Sequence, residues 1–382
     1  MFFEILLAAS IAVVAYTYAV YPALVAALGV LRPREWRKDD SHTPQLTLLV
    51  SAYNEQDVIE AKLQNCLALD YPRERLQILV ASESTDGTNE IVARYAARGI
   101  ELQAFHVRRG KSATIARVLP DARGDIIVFS DANAMYRWDA LRKLVRNFAD
   151  ARVGAVIGHL QYRDPSSSAG GRGEAVYWRY DHWLRRHASR TLGIIPGITG
   201  SVFAIRKPLY FPLGEDRGDD YELCTGIAIR GHAVVFEPDA VVEERASETT
   251  PQQFRRKKRL VRWNTMSSLL LIRDALRFRR PFVAFQLLSH RLLRYTVPVW
   301  LLVVLSTSLA LAPTSPGFAL MAVLQVAFYA LGAAGWAAES ARISLPRVCV
   351  IPSYFVMVNT AAMFALVGSV TRGQVSLWQK QR

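Results

Sequence analysis

Asp131 and Asn133 place a carboxylate and a carboxamide two residues apart, directly after the apolar run 126–129. A short run of Ile, Val and Phe is typical of a buried strand in a parallel sheet. In open α/β sheets, ligands bind beyond the carboxyl ends of such strands. An Asp at that point can hold a divalent cation against the phosphates of a substrate. Asp-x-Asn is also common in turns, so the pattern alone leaves a cation site and an ordinary turn as alternatives.

The elements that must position these side chains lie in residues 42–275, where strand and helix patterns alternate. Such alternation predicts βαβ units and a mostly parallel, Rossmann-type α/β sheet. Polar clusters follow the first strands, so they should meet in one crevice, where a nucleotide is expected. Strands are predicted at 46–50, 76–81, 102–105, 125–129 and 202–205. Helices are predicted at about 57–69, from the turn at 82–88 to about 98, at 174–190 and at 219–230.

Both ends of the chain are apolar. Residues 2–31 carry one charge, at Glu4, and no Lys, Arg, Asp or Glu occurs in 295–338 or 351–371. Each end holds stretches near the ~20 residues that cross a bilayer, and the start lacks the basic region of a signal peptide. We therefore expect an integral membrane protein. Its segments would be a transmembrane helix at 1–31, a transmembrane region of two to three spans at 295–371, and a tail at 372–382.

The net charge of +14 is concentrated beside the membrane, because residues 255–294 contain twelve Lys or Arg and one acid. A basic patch can bind nucleic acid, but this position is explained by anionic membrane lipids, so no nucleic-acid partner is expected. The positive-inside rule places the domain at 42–275 in the cytoplasm of a multi-pass protein of the cell (inner or plasma) membrane. An amphipathic interfacial helix is predicted at 276–294. The aromatic and basic helix at 174–190 fits either the membrane interface or an ordinary surface.

Three cysteines, Cys66, Cys224 and Cys349, stand singly along the chain. Their spacing supports neither a zinc site nor a disulfide framework, and it fits a reducing compartment. We interpret them as small buried side chains.

Seven short motifs follow one another in an order that resembles the membrane-embedded family 2 glycosyltransferases. This group includes synthases of cellulose, chitin, hyaluronan and poly-N-acetylglucosamine. The resemblance covers about residues 45–265 and implies a GT-A-like domain. It also implies an inverting transfer of a sugar from a nucleotide-sugar donor, expected to be UDP-linked. The motifs lie at 51–55, 83–88, 110–111, 130–133, 197–201, 218–223 and 259–263.

A donor site follows from this resemblance. Tyr53 and Glu55 match the loop that holds the base and ribose, and Glu83 stands where the family usually has an Asp that reads the uracil edge. Glu keeps the acceptor oxygens but is one methylene longer, which leaves UDP and another nucleotide open. The implied donor-site residues are Ser51, Tyr53, Glu55, Glu83, Lys111, Asp131, Arg259 and Arg262.

The resemblance also implies a metal site. Asp131 matches the first acid of the family's metal motif, and Asn133 replaces the second. Mg²⁺ or Mn²⁺ needs only one or two carboxylates beside substrate phosphates, so one Asp with an amide oxygen is sufficient, although weaker in charge.

Catalysis is assigned by the resemblance to Asp220, the general base that takes the proton of the acceptor hydroxyl. Asp219 beside it is a like charge that would raise one of the two pKa values. The alternative is a pair of helix N-cap residues. One attack from the opposite face would invert the anomeric centre, giving a β-linkage from an α-linked donor.

The last motif places Arg259, Arg262 and Trp263 where the family has Gln-x-x-Arg-Trp, with Arg in place of Gln. Arg262 would neutralise the departing diphosphate, and Trp263 would stack on the acceptor sugar. The alternative is a basic helix on lipid headgroups. The implied acceptor residues are Gly200, Ser201 and Trp263.

Three functions compete at this point. The leading one is a synthase that transfers sugar to a polysaccharide, where a channel of so few spans would be narrow or need an accessory membrane subunit. The second is transfer to polyprenyl phosphate or a glycolipid. The third is a catalytically inactive nucleotide-binding membrane regulator, favoured by the departures at Glu83 and Asn133.

Overall fold

The computed structural model describes residues 1–163, 169–191, 198, 200–213, 219–245, 250–341, 343 and 346–371. An α/β domain lies between apolar helices from both ends of the chain. Its strands are β1 Leu46–Ala52, β2 Leu76–Ser82, β3 Ile100–Ala104, β4 Ile126–Asp131, β5 Met135–Tyr136, β6 Val153–Arg163, β7 Phe203–Arg206 and β8 Ala233–Arg245.

The helices, in chain order, fall into three groups. Those before the domain are α1 Phe2–Ala15 and α2 Tyr21–Leu31. Those of the domain are α3 Ile59–Leu67, α4 Thr88–Ala93, α5 Lys111–Val118, α6 Ala140–Val145, α7 Ala169–Thr191, α8 Asp219–Ile229 and α9 Thr250–Arg277. Those after it are α10 Pro281–Gln286, α11 Leu293–Leu311, α12 Pro316–Ser340 and α13 Arg347–Thr371.

All eight strands form one sheet in the order β3-β2-β1-β4-β7-β6-β8-β5. The strands β1 to β4 pair in parallel, as do β6 and β8. The strand β7 is antiparallel to both its neighbours, and β5 is antiparallel to β8. This mixed, mostly parallel sheet, with apolar helices at both ends of the chain, confirms the predicted fold class. The five predicted strands are present within two residues of their expected ends.

Both faces of the sheet are buried, as parallel strands require. Along β1, Leu48 and Val50 pack into the core that includes α3 and α6, whereas Leu49 packs into the core that includes α5 and α8. The strands β1 and β4 are therefore buried on both faces, and the polar residues that follow them lie at the carboxyl edge of the sheet.

Two long strands, β6 and β8, were not predicted. Their apolar patterns are interrupted, in β6 by Gly154 and Gly158 and in β8 by a Glu-Pro-Asp segment. A Cβ at Gly154 would lie 2.6 Å from His232 Cβ, and one at Gly158 would lie 2.5 Å from Val202 Cγ2. Both glycines therefore permit close packing, which removes the side-chain alternation that would mark a strand.

Among the described residues, four helical segments are apolar and long enough to cross a membrane: Phe2–Leu31, Pro281–Thr314, Pro316–Glu339 and Val348–Gly368. The boundary expected at residue 294 falls inside the second of them, where a π-helical turn at Leu287–Leu292 joins α10 to α11 without a break. Its 34 residues span about 51 Å at 1.5 Å each, more than the ~30 Å hydrocarbon core. This segment is therefore longer than a single perpendicular crossing requires.

The aromatic helix α7 packs on the first apolar helix. Leu184 and Ala188 of α7 form a buried cluster with Tyr21 and Val25 of α2. The helix α7 thus joins the α/β domain to the N-terminal apolar segment. The helix at 174–190 therefore packs against an apolar helix, and its place at the membrane interface stays a prediction.

A buried carboxylate anchors the segment that leaves α2. Glu237 on β8 is fully buried and accepts hydrogen bonds from Lys38 at 2.8 Å and Asn147 at 2.9 Å. Arg146 donates two more, at 2.9 and 3.1 Å. Burial would raise the pKa of Glu237, but these partners hold it below its ordinary value.

We expect Glu237→Ala to lower the free energy of unfolding of the α/β domain by about 3–5 kcal/mol, because Arg146 is left buried without its main partner. Asp239→Ala is the matched control. Its exposed carboxylate also contacts Arg146, at 2.6 Å, but the loss should be about 1 kcal/mol or less. Urea unfolding followed by tryptophan fluorescence checks both variants. Equal effects would contradict the assigned role of Glu237.

Candidate active site

The carboxyl ends of β1, β2 and β4 bring the predicted polar residues to one edge of the sheet. In the observed register, Ser51 pairs with Ala81 on one side and with Asp131 on the other. Asp131 is the last residue of β4 and is partly buried. The predicted residues therefore meet at this edge, where a crevice is expected.

An ion pair occupies the centre of this edge. Lys111 Nζ lies 2.8 Å from Asp131 Oδ1, and Ser201 donates a weaker hydrogen bond to Oδ2 at 3.4 Å. Burial would raise the pKa of Asp131, but the Lys111 ammonium holds it below its ordinary value. Asp131 is therefore ionised at neutral pH.

The turn before α5 positions Lys111, the first residue of that helix. Gly110 has a φ of +91°, which other residues rarely adopt. Glu83, at the end of β2 and only 6% exposed, accepts the backbone N–H of Arg109 and that of Gly110, each at 2.9 Å. Its carboxylate is thus held by the main chain, and a nucleotide base could reach only its remaining lone pairs.

Tyr53 and Glu55 lie on the loop after β1, which is fixed to the loop after β2. Asn54, with a φ of +54°, accepts the N–H of Thr85 at 2.8 Å, and the N–H of Glu55 donates to Thr88 Oγ1 at 2.8 Å. The structure brings the expected base and ribose loop beside Glu83. Sequence reasoning missed Arg108, whose guanidinium lies 3.9 Å from the Tyr53 ring centre.

The proposed base lies close to the ion pair. A methyl group placed on Gly200 would lie 3.3 Å from Asp220 Oδ2 and 3.3 Å from Lys111 Nζ. The backbone N–H of Tyr221 donates to Asp220 Oδ1 at 2.7 Å. Gly200, Ser201, Lys111, Asp131 and Asp220 are therefore brought together. Asp219 is the first residue of α8, and its side chain, like residues 197 and 218 of the predicted motifs, lies outside the described part of the chain.

Few of the described side chains at this edge could coordinate a metal ion. Asn133 is exposed in the turn after β4, where the N–H of Ala134 donates to the Asp131 carbonyl at 3.2 Å. Within the described ranges, no three His, Cys, Asp or Glu side chains converge on one point. A carboxylate and an amide oxygen suit Mg²⁺ or Mn²⁺ only when substrate phosphates complete the coordination.

Lys62 is a site residue that sequence reasoning missed. It is fully buried on α3, donates to the Ala134 carbonyl, and lies 4.3 Å from the Tyr136 ring centre. Asn65 on the same helix exchanges two hydrogen bonds with the Tyr136 backbone, at 2.7 and 2.9 Å. The helix α3 thus fixes the turn that carries Asn133. A lysine on the helix face shared by Ile59, Leu63 and Cys66 was the available signal.

Glu244 on β8 is a second missed residue. It is 7% exposed, and burial together with the neighbouring Asp131 raises its pKa. Ser201 hydrogen-bonds to it as well as to Asp131. The last residues of β8 therefore lie beside the predicted acceptor residue Ser201.

The basic helix α9 carries Arg259, Arg262 and Trp263, and the Arg259 guanidinium lies 5.7 Å from the Trp263 ring centre. This helix is fixed to α8 by the hydroxyls of Tyr221 and Ser268, 2.9 Å apart. The three residues thus lie on the helix that packs against the one beginning at Asp219. The structure shows this placement, and their contacts with donor and acceptor stay a prediction.

Comparison with known proteins decides the family. Residues 44–265, more than half of the chain, match the family described as "Glycosyltransferase like family 2". The protein belongs to this family. The resemblance inferred from the seven motifs is confirmed, and the protein is a glycosyltransferase.

Curated relatives of this glycosyltransferase differ in what they make. It is 26% identical over 264 residues to probable glycosyltransferase YdaM of Bacillus subtilis, covering 66% of the chain and 63% of that relative. It is 28% identical to the poly-beta-1,6-N-acetyl-D-glucosamine synthase of Staphylococcus aureus, covering 62% and 59%. It is 30% identical to the beta-monoglucosyldiacylglycerol synthase of a Nostoc species, covering 48% and 41%. The chain spans less than two thirds of the length of these relatives.

A solved structure resembles almost the whole glycosyltransferase. The mannosyltransferase PcManGT of Pyrobaculum calidifontis, in complex with GDP-Man and Mn²⁺, superposes with a TM-score of 0.72 at 25% identity. The match covers 96% of this chain and 99% of that one. The GT-A-like fold and the placement of the apolar helices are therefore shared with a nucleotide-sugar enzyme.

We expect Glu83→Gln to weaken nucleoside diphosphate binding about tenfold, because the new NH₂ group would face a backbone N–H that the carboxylate now accepts. Calorimetric titration with UDP and GDP measures this. Glu101→Gln is the control, since its carboxylate pairs with the exposed Arg123 at the sheet edge. Unchanged affinity in Glu83→Gln would show that the turn before Lys111 holds without this carboxylate.

We expect Gly200→Ala to lower kcat about tenfold, because a Cβ there would displace Asp220 or Lys111 by a few tenths of an ångström. Steady-state release of nucleoside diphosphate is the measurement. Gly317→Ala is the control, as its Cβ would meet only Ser315 Oγ, at 3.7 Å. A kcat equal to that of the wild type would place the reacting groups away from Gly200.

Proposed function

We propose that this glycosyltransferase moves a sugar, with inversion, from a nucleoside diphosphate sugar to a hydroxyl of a polysaccharide or lipid-linked acceptor. The observation that carries the proposal is the meeting of Asp220 with the Lys111–Asp131 pair at Gly200. A cation for the diphosphate and a carboxylate for the acceptor proton lie on either side of one small residue. Transfer requires both within reach of one anomeric carbon.

In the proposed reaction, the acceptor oxygen forms a bond to the anomeric carbon while the bond from that carbon to the diphosphate breaks. Asp220 takes the acceptor proton, and Tyr221, whose N–H holds Asp220 Oδ1, fixes its orientation. Lys111 holds a phosphate oxygen as charge develops on the leaving nucleoside diphosphate. Asp131 and Asn133 would hold Mg²⁺ or Mn²⁺, which would supply further neutralisation of that diphosphate. We assign Arg262 to the same leaving group and Trp263 to the acceptor sugar.

The donor nucleotide is proposed to be UDP or GDP. Glu83 carries a carboxylate, which can accept from uracil through one N–H and from guanine through two donors. The relative in complex with GDP-Man and Mn²⁺ supports the second choice. The relatives named as a poly-N-acetylglucosamine synthase and a glucosyldiacylglycerol synthase support either a hexosamine polymer or a glycolipid as product.

We propose that the protein is embedded in the cell membrane with the α/β domain in the cytoplasm. Four helices are apolar enough to cross, and the basic segment 255–294 lies beside them. Lys257 and Lys258 of α9 lie within 6.0 and 5.5 Å of the Tyr354 and Phe364 rings of α13. The acceptor-side helix α9 therefore packs directly on an apolar helix, which suits an acceptor delivered from the membrane.

The test uses the full-length protein in nanodiscs, a panel of UDP- and GDP-sugars, and Mg²⁺ or Mn²⁺. We expect one donor to release its nucleoside diphosphate. Asp220→Asn should lower the rate of that release at least about 100-fold, because the base is gone. Asp70→Asn is the control, since Asp70 pairs with Arg142 away from the crevice. Label in a polymer or in a lipid extract distinguishes the acceptors. Nucleotide binding without release from any donor would instead favour an inactive regulator.

A further inference from the structure

Lys111 holds the carboxylate that the proposed metal site needs. Its ammonium lies 2.8 Å from Asp131 Oδ1, and the two side chains are 21% and 35% exposed. Of the proposed metal ligands Asp131 and Asn133, only the first carries charge. A divalent cation that arrives alone must therefore displace an ammonium group from this oxygen.

A second lysine lies behind the same turn. Lys62 is fully buried and donates to the carbonyl of Ala134, the residue after Asn133. Burial lowers the pKa of Lys62, so its amine adds little positive charge behind Asp131. The neighbouring carboxyl of Glu244 is buried and hydrogen-bonded to Ser201, so it offers an incoming cation no exposed ligand. The one exposed carboxylate is thus already paired with the Lys111 ammonium, which disfavours a further cation.

We propose that Lys111 makes divalent-cation binding depend on the diphosphate of the donor. Without donor, Lys111 neutralises Asp131. When the donor binds, the ammonium passes to a phosphate oxygen, and Asp131 becomes available to the cation that accompanies the diphosphate. This inference rests on the proposed donor class, and it involves a change of partner without any covalent step.

The same movement would act on the proposed base. Since a methyl group on Gly200 would lie 3.3 Å from both Lys111 Nζ and Asp220 Oδ2, the ammonium lies beside both carboxylates. Its transfer to a phosphate would move a positive charge away from Asp220. Donor binding, cation binding and the surroundings of the proposed base are thereby coupled through one lysine.

The experiment is a Mn²⁺ titration of the full-length protein in detergent, with free Mn²⁺ followed by electron paramagnetic resonance. It is run without nucleotide, with UDP and with GDP. We expect wild-type protein to bind Mn²⁺ at least about tenfold more tightly with the nucleotide it accepts than without any. In Lys111→Met, Mn²⁺ affinity without nucleotide should rise about tenfold while nucleotide affinity falls. A purely structural role would move both affinities in the same direction.

Lys207→Met is the matched control, because this partly buried lysine bonds the Ala122 carbonyl at the opposite edge of the sheet. Both affinities should stay unchanged in it. Equal Mn²⁺ affinity of the wild type with and without a nucleotide that binds would overturn the inference and leave the proposed function intact. Absence of any UDP or GDP binding would overturn both. Phosphate coordination alone would also tighten Mn²⁺ binding, so the decisive result is the affinity of the Lys111 variant without nucleotide. If Lys111→Met does not fold, Lys111→Gln takes its place, and a nucleotide-free Mn²⁺ affinity equal to that of the wild type would overturn the inference.

Discussion

The charge of Asp131 is the constraint on which the site depends. It stands at the end of a strand whose other residues are buried, and the cation beside it holds its pKa below the ordinary value. Lys111 provides that cation from the first residue of α5. The position of Lys111 depends in turn on the Gly110 turn, which the Glu83 carboxylate holds from the end of β2. One charge thus links the ends of neighbouring strands to a helix.

The two sides of the crevice are built differently. The predicted donor residues come from β1, β2 and β4 and the loops that directly follow them, which meet because these strands are neighbours in the sheet. The predicted acceptor residues and base come from the segment before β7, from α8 and from α9, and the Tyr221–Ser268 contact joins the two helices. The predicted donor side therefore depends on strand pairing. The acceptor side depends on long-range packing that includes the apolar helices.

This difference explains what could be predicted from the sequence. The strands β1, β2 and β4 follow from short runs rich in Leu, Ile and Val, and β3 from an alternation of apolar and polar residues. The approach of Lys111, Asp131 and Asp220 follows from strand ends and from the family resemblance. The strands β6 and β8 could not be predicted, because glycine and a Glu-Pro-Asp segment break their patterns. Lys62 and Glu244 were missed because their importance lies in burial beside Asp131, which no local pattern records. Glu83 was assigned a base contact, and the backbone partners that hold it are visible only in three dimensions.

The strand register limits how such a chain can change in length. Ser51 pairs with Asp131 across β1 and β4, and side chains alternate between the two faces of a sheet. A residue inserted into β4 or deleted from it would turn Asp131 to the other face, away from Lys111. Loops have no such limit, since closing a longer loop costs little additional entropy. Gaps between related chains should therefore collect after the strands, and a chain whose β4 differs by one residue cannot keep this ion pair.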